Sequence, residues 1–355
     1  MNSSSHFFKD KPLFGLDIGS SSLKVMQLEN EGREPRVRGY GAASYDPKAI
    51  KDGVITDFKS LAGSIYEMFE HNLIGEINTR RVALSIPASR SYTRSIKLPL
   101  IRDSELLQAV QLEAEQFIPV PIEDLYMDYT VIDRTDKEIE LLAVAAPKRL
   151  VDSYMLLVEM LGLEPITMDT TILSAGRLFQ QQIDVNDIPT VLIDFGNSSI
   201  DITIHDKTII VTGTIAGGGN EFTTLISKKL GISEQEAHIV KTKYGLSKSK
   251  KQTDIHEALQ PRLDTLVKEI RRMIRYHEER SNSKKKIEQI ITMGGGANMP
   301  GVSDFLTSAM RMPARTCNPW QHLSLGKLKS PSEVEKSMYV TVAGLSLINP
   351  KGLFT

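Results

Sequence analysis

The sequence predicts an α/β protein of two related lobes, with a small α/β domain set into the first. Three observations carry this reading. At 355 residues the chain exceeds the roughly 100–200 residues that usually share one core. A strand–turn–strand pattern occurs twice, 177 residues apart. Between the two copies, residues 88–163 read as strand, helix, strand, strand, helix, which suffices for a small domain.

The first copy starts at Leu13. An apolar run meets the small polar turn Asp17-Ile18-Gly19-Ser20-Ser21-Ser22 and resumes through Leu23, Val25 and Leu28. The second runs from Val191 through Asp194-Phe195-Gly196-Asn197-Ser198-Ser199 to Ile204. They align without a gap: Asp17 falls on Asp194, Gly19 on Gly196, and Ser21 and Ser22 on Ser198 and Ser199. A repeat at half the chain length means paired lobes, because a solenoid would repeat every ~20–50 residues.

The remaining elements follow from periodicity. Helical spacing covers Ser60 to His71 and Asp103 to Phe117; in the latter Leu106, Val110 and Phe117 share a face behind Asp103 as N-cap. Strands are predicted at Arg81 to Ile86, Tyr92 to Lys97, Leu125 to Ile132 and Ile139 to Ala145, with prolines 87, 99, 119, 121 and 147 at element edges. A helix follows Gly217-Gly218-Gly219, and another spans Ser233 to Tyr244. A long helix runs from about Ile255 to Arg280, with Leu259, Leu263, Leu266, Ile270 and Ile274 on one face. Ile287 to Met293 is a buried-type strand entering Gly294-Gly295-Gly296, and Ser337 to Leu347 is the last helix.

Composition narrows the function classes. Forty-three Lys and Arg against 44 Asp and Glu give a net charge of −1, which argues against a general nucleic-acid binder. A single cysteine, Cys317, excludes an intramolecular disulfide and a multi-cysteine metal knuckle. Met1 to Lys11 has no apolar signal core, and the best apolar run, Leu141 to Ala146, is far short of a membrane span. A cytosolic, multi-domain protein is expected. Charge is nonetheless uneven: Lys228 to Lys286 holds 16 basic against 8 acidic residues. That segment is either a solvated helical face or a field that favours an anionic ligand or partner.

The turns suggest phosphate chemistry. Backbone amides in a tight Ser/Gly turn can converge on an anion, since no bulky side chain covers them. Asp17 and Asp194 end strands beside the turns, where carboxylates can hold hydrated magnesium. Lys24 can add positive charge. Gly217, Gly218 and Gly219, and Gly294, Gly295 and Gly296, offer bare backbone to a flat base or ribose. Taken singly, the turn is equally a plain hairpin and each glycine run a loop needing positive φ. Four together in this order favour a nucleotide gripped from both sides.

These residues resemble the actin-like ATPases, a superfamily that includes heat-shock chaperones and sugar kinases. Asp17-Ile18-Gly19-Ser20-Ser21-Ser22 is similar to their first phosphate motif, Asp194-Phe195-Gly196-Asn197-Ser198 to the second, and Gly294-Gly295-Gly296-Ala297 to the adenosine motif. Within the superfamily the sequence is most similar to the PilM family of type IV pilus assembly proteins, relatives of the division protein FtsA. Leu16 to Val25 carries that match, with Ser85-Ile86-Pro87-Ala88, Arg94, Leu98-Pro99, Gln116-Phe117-Ile118-Pro119 and Asp128-Tyr129.

The resemblance implies an actin-like ATPase fold, two RNase H-like lobes around a nucleotide cleft. It implies a first lobe of residues 1–87, 164–188 and 337–355, and an insert at 88–163 of the kind shared with FtsA. The second lobe would be 189–230 and 287–336, with a basic helical subdomain at 231–286 above the base. The implied cofactors are ATP or ADP with Mg2+. The nucleotide would meet Gly19, Ser20, Ser21, Ser22, Lys24, Gly196, Asn197, Ser198, the two glycine runs and Lys241, and the metal Asp17 and Asp194. The implied role is a cytoplasmic scaffold at the inner face of the membrane, docking the N-terminal tail of a PilN-like inner-membrane protein. Contacts with other pilus assembly proteins and self-association belong to the same picture; nucleic acid and direct membrane insertion do not.

The pattern departs in one place. Lys241 fits the family's adenosine-contacting lysine, but His238 stands where FtsA-like sequences carry glutamate, either as an altered ribose contact or as a helix-surface histidine. No residue stands out as a water-activating base, since Asp17, Asp194 and Asn197 suit cation or water positioning. Slow hydrolysis or none is therefore expected. The alternatives are an FtsA-like filament protein of division or of a related secretion or competence system, and a small-molecule kinase of the same fold. The first would end in an amphipathic membrane helix, for which Ile348 to Thr355 is too short and proline-broken. The second needs a catalytic carboxylate at an acceptor pocket, and none is spaced for it.

Overall fold

The computed structural model describes residues 11–29, 34–181, 188–206, 208–280 and 285–349. The expectations for the amino-terminal leader region, residues 1–10, and for residues 350–355 lie outside them.

The first lobe begins with the hairpin β1 (Phe14–Ile18) and β2 (Ser22–Glu29), followed by β3 (Arg36–Ser44) and the short pair β4 (Ile50–Lys51) and β5 (Val54–Ile55). Helix α1 (Phe58–His71) follows, capped by Asp57, whose side chain accepts from the Ser60 N–H. Then come β6 (Leu73–Gly75) and β7 (Arg81–Ile86). β1 is buried at every position, as is β7, because helices cover both faces of the sheet here.

The insert follows: β8 (Tyr92–Pro99), α2 (Asp103–Glu115), β9 (Leu125–Arg134), β10 (Glu138–Pro147) and α3 (Lys148–Met160). Its antiparallel sheet runs β8-β10-β9, and Leu106 and Val110 of α2 close a small core over Ile96, Leu98, Ile139 and Leu141. Helix α3 turns the other way: Leu150, Tyr154, Leu157 and Val158 pack into the core of β1, β2 and β7. β11 (Glu164–Thr170) then returns to the first sheet, and α4 (Thr171–Gln181) leads out of it.

The second lobe repeats the pattern with β12 (Thr190–Phe195), β13 (Ser199–Asp206) and β14 (Thr208–Ala216). Three helices follow, α5 (Gly219–Leu230), α6 (Glu234–Lys243) and α7 (Gln252–Arg280), then β15 (Gln289–Met293), α8 (Val302–Met310) and β16 (Ala314–Thr316). The chain closes with α9 (Glu333–Lys336) and α10 (Val340–Ser346).

The two large sheets read β11-β7-β1-β2-β3-β6 and β14-β13-β12-β15-β16. In each, a hairpin strand pairs in parallel with a later strand, β1 with β7 and β12 with β15. Both therefore share one order, third-second-first-fourth-fifth, with β6 added at an edge. The sequence repeat is thus a repeat of topology, and both hairpin turns lie at the same end of their sheets. A third core joins the lobes: Met26, Leu28 and Tyr40 of the first meet Leu192, Ile291 and Met293 of the second, with α4 and α10 between. Among the described residues no helix is long and apolar enough to cross a membrane.

One buried group in this junction makes the fold acid-sensitive. His205 of β13 is buried, its ring edge-on to Phe179 of α4 at 5.0 Å, and its Nε2 has no partner. Burial lowers its pKa from 6.5 to about 4. Between those values the unfolded chain holds the extra proton, so its contribution to stability falls as pH drops from 6.5 towards 4. The loss is about 3 kcal/mol. We expect His205→Leu to gain on the wild type by that margin when denaturant midpoints at pH 4 and pH 7 are compared; equal pH profiles would refute it.

Candidate functional site

A cleft of about 770 Å³ lies between the lobes, and both hairpin turns face it. At the first turn the Gly19 N–H donates to the Ser22 carbonyl at 3.0 Å, closing the hairpin tightly. Tyr45 braces it from below, its hydroxyl donating to the Gly19 carbonyl and its N–H to that of Ser21 at 3.3 Å. Asp17 and Lys24 are opposed in the β1–β2 register. Both are buried, and the Lys24 Nζ lies 3.5 Å from Asp17 Oδ2 and donates to Ser22 Oγ at 3.1 Å. The other carboxylate oxygen accepts from Ser85 Oγ at 2.7 Å.

The second hairpin differs in one charge. Asp194 is opposed by Asp201, the residue that the 177-residue offset places on Lys24. Asp201 accepts from Thr214 Oγ1 at 2.5 Å and Ser199 Oγ at 3.4 Å. Burial, then the charges of Asp201 and Asp17, raise the Asp194 pKa from 3.8 to about 7, against the pull of Lys24. Three carboxylates thus face a single lysine across the floor of the cleft. A divalent cation would relieve that imbalance. Among the described residues no three of His, Cys, Asp or Glu form a ready metal cage. A cation here would take one or two carboxylates and complete its shell with water or phosphate oxygens, as magnesium does.

The glycine runs behave differently from one another. Gly219 lines the cleft, but Gly217 and Gly218 do not. This corrects the expectation that all three offer open backbone to a ligand. The N–H groups of Gly217, Gly219 and Asn220 are spent on the carbonyls of Ser198, Gly196 and Asn197, at 2.9–3.0 Å, so this run splints the second turn from behind. A Cβ on Gly218 would stand 2.4 Å from the Gly196 carbonyl oxygen. Gly294, Gly295 and Gly296 all line the cleft. Gly294, at φ +81°, would place a Cβ 2.2 Å from Asp194 Oδ1, and Gly296 would place one 2.8 Å from Phe195 Cβ. Those two are glycines because the Gly294–Gly296 loop rests on the end of β12. A Cβ on Gly295 would have open space, with Met338 Cγ nearest at 4.0 Å.

Lys241 reaches in from α6. Its Nζ donates to the Gly219 carbonyl at 2.6 Å and Thr223 Oγ1 at 2.7 Å, both neutral, and burial lowers its pKa to about 8. His238, one turn earlier, is exposed yet lines the cleft, so it is a helix-surface histidine at the rim. Desolvation and the Lys241 charge lower its pKa. Ser20, Ser21, Ser22, Gly196, Asn197 and Ser198 also line the cleft.

Comparison with known proteins identifies the family and the fold. A family model described as type IV pilus assembly protein PilM matches residues 15–349, nearly the whole chain. The chain belongs to the PilM family. A solved PilM-PilN type IV pilus biogenesis complex is similar to this PilM-family chain at TM-score 0.82, with 22% identity over 95% of this chain and 98% of that one. MreB 5 of Spiroplasma citri, solved bound to AMPPNP, is similar at TM-score 0.53 and 13% identity, over 94% of this chain and 95% of that one. The cell division protein FtsA of Neisseria meningitidis is 21% identical over 86% of this chain and 83% of its own. The fold is therefore that of the actin-like ATPases.

Four contributors escaped the sequence reading. Ser85 and Tyr45 act on the first turn from distant strands and loops, and no spacing announces them. Thr171 lines the cleft at the start of α4. Asp201 was within reach, because extending the gapless repeat by seven positions from Asp194 lands on it.

Proposed function

We propose that this PilM-family chain is an ATP-binding scaffold of a type IV pilus assembly platform. It holds ATP or ADP with Mg2+ between its lobes and docks the cytoplasmic tail of a PilN-like membrane protein. It hydrolyses the nucleotide slowly or not at all. The observation that carries this is the pair of hairpin turns facing one cleft, with Asp17, Asp194 and Asp201 against Lys24. The donor set fits the cofactor: an excess of carboxylate suits a hydrated cation, and the serine and glycine turns suit phosphate.

In this reading the Gly19–Ser22 and Gly196–Ser198 turns bind the phosphates from opposite lobes. Asp17 and Asp194 hold the cation, oriented by Ser85 and by Lys24. Lys241 and the Gly295 backbone take the adenosine end. Magnesium, when bound, neutralises phosphate charge and offsets the carboxylate repulsion around Asp194. Weak turnover follows from the lining. Its acidic residues are Asp17, Asp52, Asp194 and Asp201. Three of these sit in the cation cluster, and Asp52 is tied to Arg90 at 2.9 Å. Three of the four are thus given to the cation, and the fourth, Asp52, has a side chain 73% exposed to solvent. The role at the membrane is supported by family membership and by the PilM-PilN complex that the chain resembles.

The test is capture of the cytoplasmic tail of the PilN-like protein encoded with this chain, with Mg2+ and ATP present. Saturable binding of the tail by the full chain, and not by unrelated tails, is expected. No binding would refute the docking role.

A further inference from the structure

We propose that Arg90 reads the terminal phosphate of the bound nucleotide, making the cleft select triphosphate over diphosphate. This rests on the nucleotide reading above. The cleft wall also includes Asp52, Gly53, Arg90 and Thr171, which come from the first-lobe segments, whereas Gly295 and Lys241 come from the second. Among the described residues, Lys24, Arg90 and Lys241 are the lysines and arginines that line it. Lys24 is committed to Asp17, and Lys241 to the Gly219 carbonyl and Thr223. Arg90 therefore supplies the guanidinium of the cleft wall.

Its placement follows from the chain path. Ser85 of β7 holds Asp17, and the strand then leaves the sheet through Pro87 into a single turn, Ala88–Arg90. The Ala88 N–H is pinned by Thr171 Oγ1 at 3.3 Å, which fixes the root of that turn at the cleft wall. Across from it, Tyr45, which braces the first phosphate turn, leads into β4 and β5. Their connecting turn, Asp52-Gly53, has both residues at positive φ, 53° and 84°. A Cβ on Gly53 would touch Arg90 Cγ at 3.0 Å, so the glycine lets this tip lie against the arginine stem. Asp52 then takes the guanidinium at 2.9 Å.

That ion pair is built to be exchanged. Its side chains are 49% and 73% exposed, so it contributes little to stability and is cheaply broken. A phosphate bearing two charges offers the planar guanidinium a stronger, bidentate partner. A diphosphate, one group shorter, leaves Arg90 with Asp52. The consequence reaches the insert, because Ser91 and β8 follow Arg90 directly. The Thr93 carbonyl on β8 accepts from Thr212 Oγ1 on β14 of the second lobe at 3.1 Å. β8 thus joins the Arg90 turn to the second lobe.

The experiment is calorimetric titration of the full chain with Mg2+–AMPPNP and with Mg2+–ADP, for wild type, Arg90→Ala, Arg90→Lys and Asp52→Asn. Arg90→Ala is expected to lose about tenfold or more in AMPPNP affinity. Its ADP affinity stays at the wild-type value, which also reports an intact fold. Arg90→Lys recovers part of the loss, and Asp52→Asn binds AMPPNP more tightly than wild type. Equal losses for both nucleotides, or no loss, would overturn the proposal while leaving nucleotide binding in place. A wild type that binds neither nucleotide would overturn the nucleotide reading, and this one with it.

Discussion

Asp194→Asn is expected to weaken magnesium-dependent nucleotide binding sharply while making the empty protein more stable. The wild-type carboxylate is half-buried with Asp201 and Asp17 as neighbours, its pKa raised from 3.8 to about 7. Its sign is opposite to that of an ion-paired carboxylate. The unfolded chain releases this proton near pH 4, the folded chain only near 7, so stability falls as pH rises through that window. Above pH 7 the carboxylate costs the fold about 4 kcal/mol as an upper bound. Asparagine keeps the shape under Gly294 and removes the charge. Thermal melts without metal should therefore rise at pH 8 and converge with the wild type near pH 4. In titrations, affinity for Mg2+–ATP should drop about a hundredfold, for loss of a charged ligand to the cation. A variant that is less stable at pH 8, or that binds Mg2+–ATP as the wild type does, contradicts this. Asp17 is unsuited to the same experiment, because its removal strands the buried Lys24.

The second large effect lies between the lobes. A Cβ on Gly344 of α10 would fall 1.8 Å from the Ser174 carbonyl oxygen of α4. The two helix backbones meet there without an intervening side chain, and Arg177 Nη1 donates to the Gly344 carbonyl at 3.1 Å. No rotamer change relieves a backbone clash, so Gly344→Ala must push the helices apart and open the core they share with both sheets. We expect a loss of about 3 kcal/mol and a melting point lower by roughly 5–10 °C. Nucleotide should recover less of that stability than it gives the wild type, because both hairpin sheets lean on these helices. Gly63→Ala, at a site on α1 with no atom within 4 Å of the new Cβ, is the control and should melt as the wild type does or higher. A Gly344→Ala protein melting with the wild type would refute the close packing.

These two sites show what the sequence could and could not disclose. The paired lobes were legible because Asp17 and Asp194 recur in a gapless repeat, and apolar alternation on either side marks the strands. Long amphipathic elements such as α7 announce themselves by the spacing of Leu259, Leu263 and Leu266. β3 and β11 were invisible for a physical reason. Arg36 to Ser44 contains two glycines at close approaches, Gly39 to Glu76 and Gly41 to Asn72, so its pattern is governed by backbone contact with β6 rather than by alternation. Glu164 to Thr170 is a half-buried edge with a proline and a register shift. Gly217 and Gly218 misled because a glycine that admits a ligand and one that admits another backbone look identical in sequence. The Gly217 amide donates to the Ser198 carbonyl and Gly218 lies against that of Gly196, both in the second hairpin turn, and only the fold could show it. Arg90 lies in a single turn of no periodicity, and its meaning comes from what the Asp52-Gly53 tip places beside it.

The most direct test is a crystal structure of the full chain grown with Mg2+ and AMPPNP. The expected result has phosphates between the Gly19–Ser22 and Gly196–Ser198 turns, the cation on the Asp17 and Asp194 side, and the base against Gly295. A nucleotide bound elsewhere, or a cleft left empty at saturating concentration, would contradict it.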